Sequence, residues 1–319
     1  MNNPSSPRAA RPEPKIVKRP AAARGQTELG WLHSRHSFSF GEYHDPAHMG
    51  FRSLIVLNDD VVEVGGGFGT HPHRDAEIFS YVIAGELEHR DSLGNGRIIR
   101  AGDLQYMSAG SGVRHSEFNP SKSAAAHFLQ VWLRPSERGG APRYAERALG
   151  DQAKPDALTL LFAGEARDRA TAIRADAEIY YGRLVAGKTL AFAPGVQRGL
   201  WVQVIRGTLD VLGTQLGEGD GAAVEYVATL GLTARKDAEF LVFNLASAGG
   251  RIVVAPPPTV SNLCHQRPSQ SSPSHAEFFQ TPMARAGGGH RAYGCGCRMF
   301  SPAQRAREAG NQVRGGLTG

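Results

Sequence analysis

The chain has 319 residues, 41% hydrophobic and 21% charged, a length and balance typical of a folded protein with two domains. Its formal net charge of +6 equals that of residues 250–319 alone, which hold eight Arg, two Glu and neither Lys nor Asp. The rest of the chain is neutral, which argues against direct nucleic-acid binding. With no apolar run of the ~18 residues that a membrane helix needs and no apolar leader segment, we expect a cytoplasmic protein without membrane contact.

Short β-strands separated by turns dominate the pattern along the chain. Residues 1–13 are rich in Pro, Ser and Arg and are predicted to be a disordered tail. Gly-containing turn signals stand at 94–96, 101–103 and 217–220, and Ala141–Leu149 is predicted to be a short helix or turn. Five segments rich in β-branched and aromatic residues predict strands: Ser53–Leu57, Ile78–Ile83, Phe128–Leu133, Trp201–Ile205 and Phe240–Leu245.

An internal repeat predicts two related barrels. The sequence VIAGEL at 82–87 returns as VIRGTL at 204–209, and the Gly-Asp and Phe-Leu pairs that follow return in the same order. We therefore expect an all-β fold of two jelly-roll-like barrels with flanking disordered tails. The predicted divisions are a tail 1–13, an N-terminal barrel 14–137, a linker 138–157, a C-terminal barrel 158–248 and a basic tail 249–319.

Two histidine pairs mark a candidate metal site in the first barrel. His71 and His73 are two residues apart, as are His115 and Glu117. Side chains at this spacing on a strand point to the same face, so the two pairs can surround one ion. Pro72 lacks a backbone donor, which predicts an edge strand or a strand end. Three imidazoles and one carboxylate suit a first-row divalent ion better than calcium, although an isolated His-x-His pair more often has no metal.

The second barrel serves as an internal comparison. Shifts of 122 and 117 residues place Ala193 and Gly195 on the first histidine pair, and Leu232 and Ala234 on His115 and Glu117. No histidine occurs between residues 128 and 264. We therefore expect a second barrel of the same architecture without a metal.

The stretch HPHRDAEIFSYVIAGELEHRDSLGNG (71–96) with AGDLQYMSAGSGVRHSE (101–117) resembles the pirin family of the cupin superfamily, in its bacterial quercetin 2,3-dioxygenase branch. WLHSRHSFSF (31–40) and YHDPAHMGF (43–51) share this resemblance. It implies a bicupin fold with metal only in the N-terminal barrel, bound by His71, His73, His115 and Glu117. Glu77 is left as a supporting or structural residue.

The resemblance also implies an activity, the opening of a flavonol ring by O2 with release of carbon monoxide. Its substrates are then a small aromatic flavonol-like molecule and O2. Fe(II) is the first metal to expect, with Mn, Co, Ni, Cu or Zn as alternatives, and Glu117 accepts the substrate proton. The competing hypothesis is a non-catalytic, metal- or redox-sensing protein that binds a transcriptional or metabolic partner.

Other residues are interpreted more simply. His33, His36, His44 and His48 precede the barrel motif, and one of them can line its mouth, although surface or loop histidines are the simpler explanation. His89 is expected in the barrel wall rather than among the ligands. Aromatic-substrate walls are assigned to Phe40, Phe68 and Met107, with core packing as the alternative. The cysteines Cys264, Cys295 and Cys297 match no compact metal motif and leave the fold independent of disulfides.

Overall fold

A computed structural model of the chain describes residues 12–195 and 197–247. The described part contains twenty strands and two short 3-10 helices, Ala21–Ala23 and Gly150–Gln152. None of its helices has the length and apolar character required to cross a membrane. The all-β class is thus confirmed, whereas the predictions for residues 1–11, for the tail 249–319 and for the three cysteines lie outside the described residues.

The strands of the first half extend over the following residues: β1 Lys15–Arg19, β2 Gly25–Glu28, β3 Leu32–His36, β4 Leu54–Val62, β5 Gly67–His73, β6 Glu77–Ala84, β7 Glu86–Asp91, β8 Gly96–Arg100, β9 Asp103–Ser108, β10 Val113–Phe118, β11 Ala126–Leu133 and β12 Arg143–Ala148. Those of the second half are β13 Ala157–Ala163, β14 Thr171–Ala172, β15 Ala177–Leu184, β16 Thr189–Phe192, β17 Gly199–Val211, β18 Thr214–Gly217, β19 Gly221–Glu225 and β20 Leu230–Leu245. Four of the five strand segments expected from the sequence lie wholly in strands, and the fifth, Ser53–Leu57, does so from Leu54 onward.

Two sheets form the first barrel. One has seven strands in the order β12-β9-β6-β11-β4-β3-β2, and the other has four in the order β5-β10-β7-β8. Apolar side chains from both sheets meet between them, including Leu32, Phe68 and Leu87. The interior of this barrel is therefore bounded by β3, β4 and β11 of one sheet and by β5 and β10 of the other.

The remaining strands form a nine-stranded sheet around β17, β20 and β15. Strand β1 joins this sheet by pairing with β19, although the sequence assigned residues 14–137 to the N-terminal barrel. Similarly, Ala141–Leu149 is not a helix or turn, because Arg143–Ala148 pairs with β9 as an edge strand. Pairing partners so distant in the chain leave no local sequence signal.

A large apolar core joins the two halves. Along β6 successive side chains alternate, so that Phe79 and Tyr81 leave the first barrel on the face opposite to Ile78 and Ser80. The Phe79 ring centroid lies 4.8 Å from that of Phe162 and 6.2 Å from that of Phe243. This shared core covers one face of the seven-stranded sheet and leaves the other face to the barrel interior.

The interior of the second half is aliphatic. β16 pairs with β20 as β5 pairs with β10, and Leu232 faces Leu190 across this ladder. The sequence shift had placed Ala193 on His71, but Ala193 lies after the end of β16 and is exposed. The residue that pairs with Leu232 is Leu190, three residues before Ala193. Leu232 and Ala234 are buried in the apolar core of this half.

Candidate metal centre

Strands β5 and β10 bring three histidines together inside the first barrel. β5 is an edge strand of its sheet, as Pro72 predicts, and its residue His71 is directly opposite His115 on β10. His73 lies two residues further along β5, opposite Val113. Gly67 allows this close pairing, since a Cβ atom there would lie 2.5 Å from the carbonyl oxygen of Glu117. All three imidazoles are buried.

The three rings converge on one point. Nitrogen atoms of His71, His73 and His115 lie within 4.8 Å of one another, and the two Nε2 atoms of His71 and His115 are 3.0 Å apart. The ring of His73 packs edge-on against Trp132 at a centroid distance of 4.7 Å. Three ring nitrogens at these separations can bind a single ion.

Burial keeps these imidazoles neutral. It lowers the pKa of His71, lowers that of His73 to about 3, and lowers that of His115 well below its ordinary value. The Nδ1–H of His71 donates to the carbonyl oxygen of Gly69 at 2.7 Å, which leaves the Nε2 lone pair directed toward the cluster. Neutral imidazoles with converging lone pairs fit a first-row divalent metal.

Glu117 lies beside the cluster within a network of amide donors. Its carboxylate falls in a second group of potential ligands with His115 and His89. Oε2 accepts a hydrogen bond from Gln130 Nε2 at 2.7 Å, and Oε1 accepts from Gln105 Nε2 and, at 3.3 Å, from Ser80 Oγ. Burial outweighs these hydrogen bonds and raises the pKa of Glu117 to about 7.

His89 supports the cluster from behind. Its Nδ1 lies 3.5 Å from Nδ1 of His115, and its Nε2 lies 3.2 Å from the buried Asp91 carboxylate. Its ring stacks on Tyr144 with a centroid distance of 4.7 Å. If Asp91 accepts the Nε2 proton of His89, Nδ1 of His89 is free to accept from His115. This arrangement directs Nε2 of His115 toward the other two imidazoles.

A cavity opens on the cluster and has two kinds of wall. Three of its lining side chains are aromatic, namely Phe40, Phe68 and Trp132. The polar wall consists of side chains from β3 and β4: Ser34, His36, Asn58 and Asp60. His71, His73 and Glu117 also line this cavity, so a bound molecule can contact both walls and the candidate ligands.

Of the residues predicted to form aromatic-substrate walls, two line the cavity and one does not. Phe40 and Phe68 line the cavity, whereas Met107 packs in the core beside Trp132. Glu77 has a structural role, since it accepts hydrogen bonds from Tyr106, Ser108 and, at 2.9 Å, the backbone of Arg174.

Among the four upstream histidines, only His36 lines this cavity. His33 and His48 are hydrogen-bonded to nearby carboxylates, and His44 is exposed.

Sequence reasoning missed the polar residues that surround Glu117 and the polar wall. A signal was present, because Ser80 and Gln130 each interrupt an apolar run, in IFSYVI and FLQVWL, and Gln105 does so in the shorter run LQYM. A lone polar residue at an inward position must find a buried partner.

Comparisons with known proteins agree with this geometry. The family models for Pirin and for the quercetinase C-terminal cupin domain match residues 17–133 and 160–245. The quercetin 2,3-dioxygenase of Escherichia coli (strain K12) is 42% identical over 230 residues, which are 72% of this chain and 98% of that protein. The chain belongs to the pirin family.

Two further relatives extend the comparison for this pirin. A pirin-like protein of Caulobacter vibrioides is 38% identical over 233 residues, covering 72% of this chain and all of that protein. The crystal structure of the bacterial pirin YhhW from Escherichia coli in complex with nickel(II) superposes with a TM-score of 0.70 at 40% identity. It covers 73% of this chain and all of that one. The bicupin fold expected from the sequence is thus confirmed.

Proposed function

We propose that this pirin is a metal-dependent dioxygenase that opens the ring of a quercetin-type flavonol with O2 and releases carbon monoxide. The observation that carries the proposal is the convergence of three buried, neutral imidazoles on a cavity with aromatic and polar walls. The 42% identity to a quercetin 2,3-dioxygenase, almost all of which is covered, supports the same chemistry.

The proposed metal ligands are His71, His73, His115 and Glu117. The three imidazoles are supported by their mutual distances, and Glu117 by its proximity to His115 and its access to the cavity. Fe(II) is the first ion to test, followed by Mn, Co, Ni and Cu, whereas Zn is the redox-inactive ion for binding measurements. A bound ion of this kind supplies Lewis acidity toward the substrate oxygen and, when redox-active, electron exchange with O2.

Glu117 is the proposed acceptor of the flavonol 3-hydroxyl proton. A carboxyl group whose pKa is raised to about 7 can accept and return a proton near neutral pH. Each carboxyl oxygen accepts one amide hydrogen bond, Oε2 from Gln130 and Oε1 from Gln105, so each keeps a lone pair that can take the proton. Gln105 and Gln130 hold the carboxyl group in place during this exchange.

The cavity walls orient the substrate and exclude water. Phe40, Phe68 and Trp132 present aromatic surface to a planar ring system. Because Trp132 also packs against His73, a ring in contact with Trp132 lies next to the imidazole cluster. Such contact places the substrate oxygen near the ligands and limits the access of bulk water to them.

The test is a flavonol assay on metal-free protein reloaded separately with Fe(II), Mn(II), Co(II), Ni(II) or Cu(II). We expect the flavonol absorbance to disappear with one O2 consumed and one carbon monoxide released per molecule. The variant His73→Ala should abolish turnover, whereas His127→Ala, whose ring bonds Asp59 on the neighbouring strand, should retain it. Lack of turnover with all five metals, or oxidation without carbon monoxide, would refute the proposal.

A further inference from the structure

In the polar wall of the cavity, the direction of each hydrogen bond can be assigned. Nε2 of His36 lies 2.8 Å from the Thr27 hydroxyl, and Nδ1 lies 2.8 Å from Oδ1 of Asn58. Burial lowers the pKa of His36, so its ring is neutral and carries one proton. Nδ1–H therefore donates to Asn58 Oδ1, and Nε2 accepts from Thr27. Because Asn58 uses Oδ1 in this series of hydrogen bonds, its Nδ2 makes no hydrogen bond to Thr27 or His36.

Asp60 has the complementary free atom. Ser34 Oγ donates to Asp60 Oδ1, but Oδ2 has no hydrogen-bond partner within the described residues. The same is true of Asn58 Nδ2 in that part of the chain. Both residues line the cavity, and their exposed fractions are only 2% and 3%. Neither atom is among the fully enclosed, unpaired side-chain atoms of the described residues, so both are accessible from the cavity, where a ligand group or a bound water can bond them.

The two free atoms belong to residues on the same face of one strand. Asn58 and Asp60 are two residues apart on β4 and therefore face the same way. One offers an N–H donor and the other a carboxyl oxygen that accepts. A hydroxyl group satisfies both at once, because it donates one hydrogen bond and accepts another.

Other ligand groups fit less well. A carboxylate would face the carboxyl group of Asp60, and an ammonium group would leave the Asn58 amide unpaired. Burial raises the pKa of Asp60 to about 7, so the free Oδ2 is an acceptor above this pH, and a second charged group beside it is disfavoured. The wall therefore suits a neutral hydroxyl group on a ring that also contacts the aromatic wall.

We propose that Asn58 and Asp60 form a subsite for a second hydroxyl group of the aromatic substrate, in addition to the oxygen that faces the imidazole cluster. The subsite selects polyhydroxylated rings over rings with a single hydroxyl group. This inference rests on the proposed function, since it assumes an aromatic substrate at the same cavity.

The experiment measures anaerobic binding of two flavonols to the Zn(II)-loaded full chain. Quercetin carries several ring hydroxyl groups, whereas 3-hydroxyflavone carries only the one that reacts. We expect quercetin to bind about tenfold more tightly, as one hydrogen bond to a buried carboxyl group implies. Asp60→Asn keeps the acceptor for Ser34 but replaces Oδ2 by a donor, so it should remove this preference and leave 3-hydroxyflavone binding within about twofold.

Two further variants complete the test. Asn58→Asp keeps the acceptor for His36 but removes the free donor, and should also remove the preference. If Asp60→Asn fails to fold, the Asn58→Asp variant tests the subsite in its place. Glu63 has an exposed carboxyl group just beyond the end of β4. The variant Glu63→Gln should keep the preference for quercetin over 3-hydroxyflavone. Equal loss of both ligands in the site variants, or an unchanged preference, would overturn the subsite.

Failure of the subsite and failure of the proposed function give different results. A retained preference for quercetin without O2 consumption by the Fe(II)-, Mn(II)-, Co(II)-, Ni(II)- or Cu(II)-loaded protein would overturn only the proposed function. O2 consumption with equal binding of the two flavonols would overturn only the subsite. If the unmodified protein binds neither flavonol, both proposals fall.

Discussion

The Nε2 atoms of His71 and His115 lie 3.0 Å apart inside the first barrel. Two N–H groups cannot face each other at this distance, and burial lowers the pKa of both rings. Because Nδ1 of His71 donates to Gly69, its Nε2 carries a lone pair. A cation bound by the two nitrogens would use both lone pairs, and His73 offers a third nitrogen within 4.8 Å of them.

Removal of one imidazole should weaken metal binding. We expect His73→Ala to lower the metal affinity at least tenfold, because the ion loses one of its ligands. Elemental analysis and competition with a coloured chelator measure this affinity. His127→Ala is the matched control, since it removes a histidine that bonds Asp59 instead. Full metal content in the His73 variant would refute its assignment as a ligand.

His89 should act through His115 rather than on the substrate. The variant His89→Phe keeps an aromatic ring against Tyr144 but removes the nitrogen that faces His115. Substitution of a residue that orients a metal ligand typically lowers the metal affinity by about 10- to 100-fold. We expect a loss in that range, with an unchanged thermal midpoint of the metal-free protein. An unchanged metal affinity would show that His89 only packs.

Gln130 should control the protonation of Glu117. Its Nε2 donates to Oε2 of Glu117 at 2.7 Å, and this bond stabilises the charged carboxylate. Gln130→Leu should therefore raise the pKa of Glu117 further and shift the acidic limb of the pH–rate profile to higher pH. Gln203→Leu, which removes a buried glutamine of the second half, should leave the profile in place. A shift in both variants would indicate a general effect of instability.

The metal-free protein should lose stability on acidification. In the unfolded chain imidazoles bind protons below pH ~6.5, whereas the buried ones remain neutral, so their contribution to stability is present above that pH and lost below it. Five histidines show lowered pKa values: His36, His71, His73, His89 and His115.

Asp60 and Glu117 act in the opposite direction. Their pKa values are raised to about 7, so their contribution is lost as the pH rises from ~4 toward 7. Because the five histidines outnumber the two carboxyl groups, the urea midpoint of unfolding should decrease as the pH is lowered from 7 to 5. The slope is about 1.4 kcal/mol per pH unit for each net proton. His73→Phe should reduce this slope, and a higher midpoint at pH 5 would contradict the prediction.

Deletion of residues 250–319 should leave the fold and the metal content intact. β20 ends at Leu245, and the matching segments of about 230 residues already cover 98% or more of relatives from two bacteria. Circular dichroism and elemental analysis of the shortened protein measure both properties. Aggregation or loss of metal would show that the deleted residues contribute to the folded body.

Local pattern was sufficient for the strands and for three imidazoles. Strand alternation places His71 and His73 on one face, and Pro72 correctly marks an edge strand. In the second half, the aliphatic residues Leu190 and Leu232 face each other in the ladder between β16 and β20. The failures were of pairing: Arg143–Ala148 was not recognised as a strand, and β1 was assigned to the N-terminal barrel although it pairs with β19.

The sequence by itself thus determined the all-β class, the repeated architecture and the identity of the histidine cluster, because these depend on spacing along one strand or on composition. Only the tertiary structure decided which residues complete the site. His36, Asn58 and Asp60 approach the imidazoles because β3 and β4 belong to the sheet that faces β5 and β10. Gln105 and Gln130 reach Glu117 from two further strands. Such contacts join residues far apart in the chain, and no local spacing encodes them.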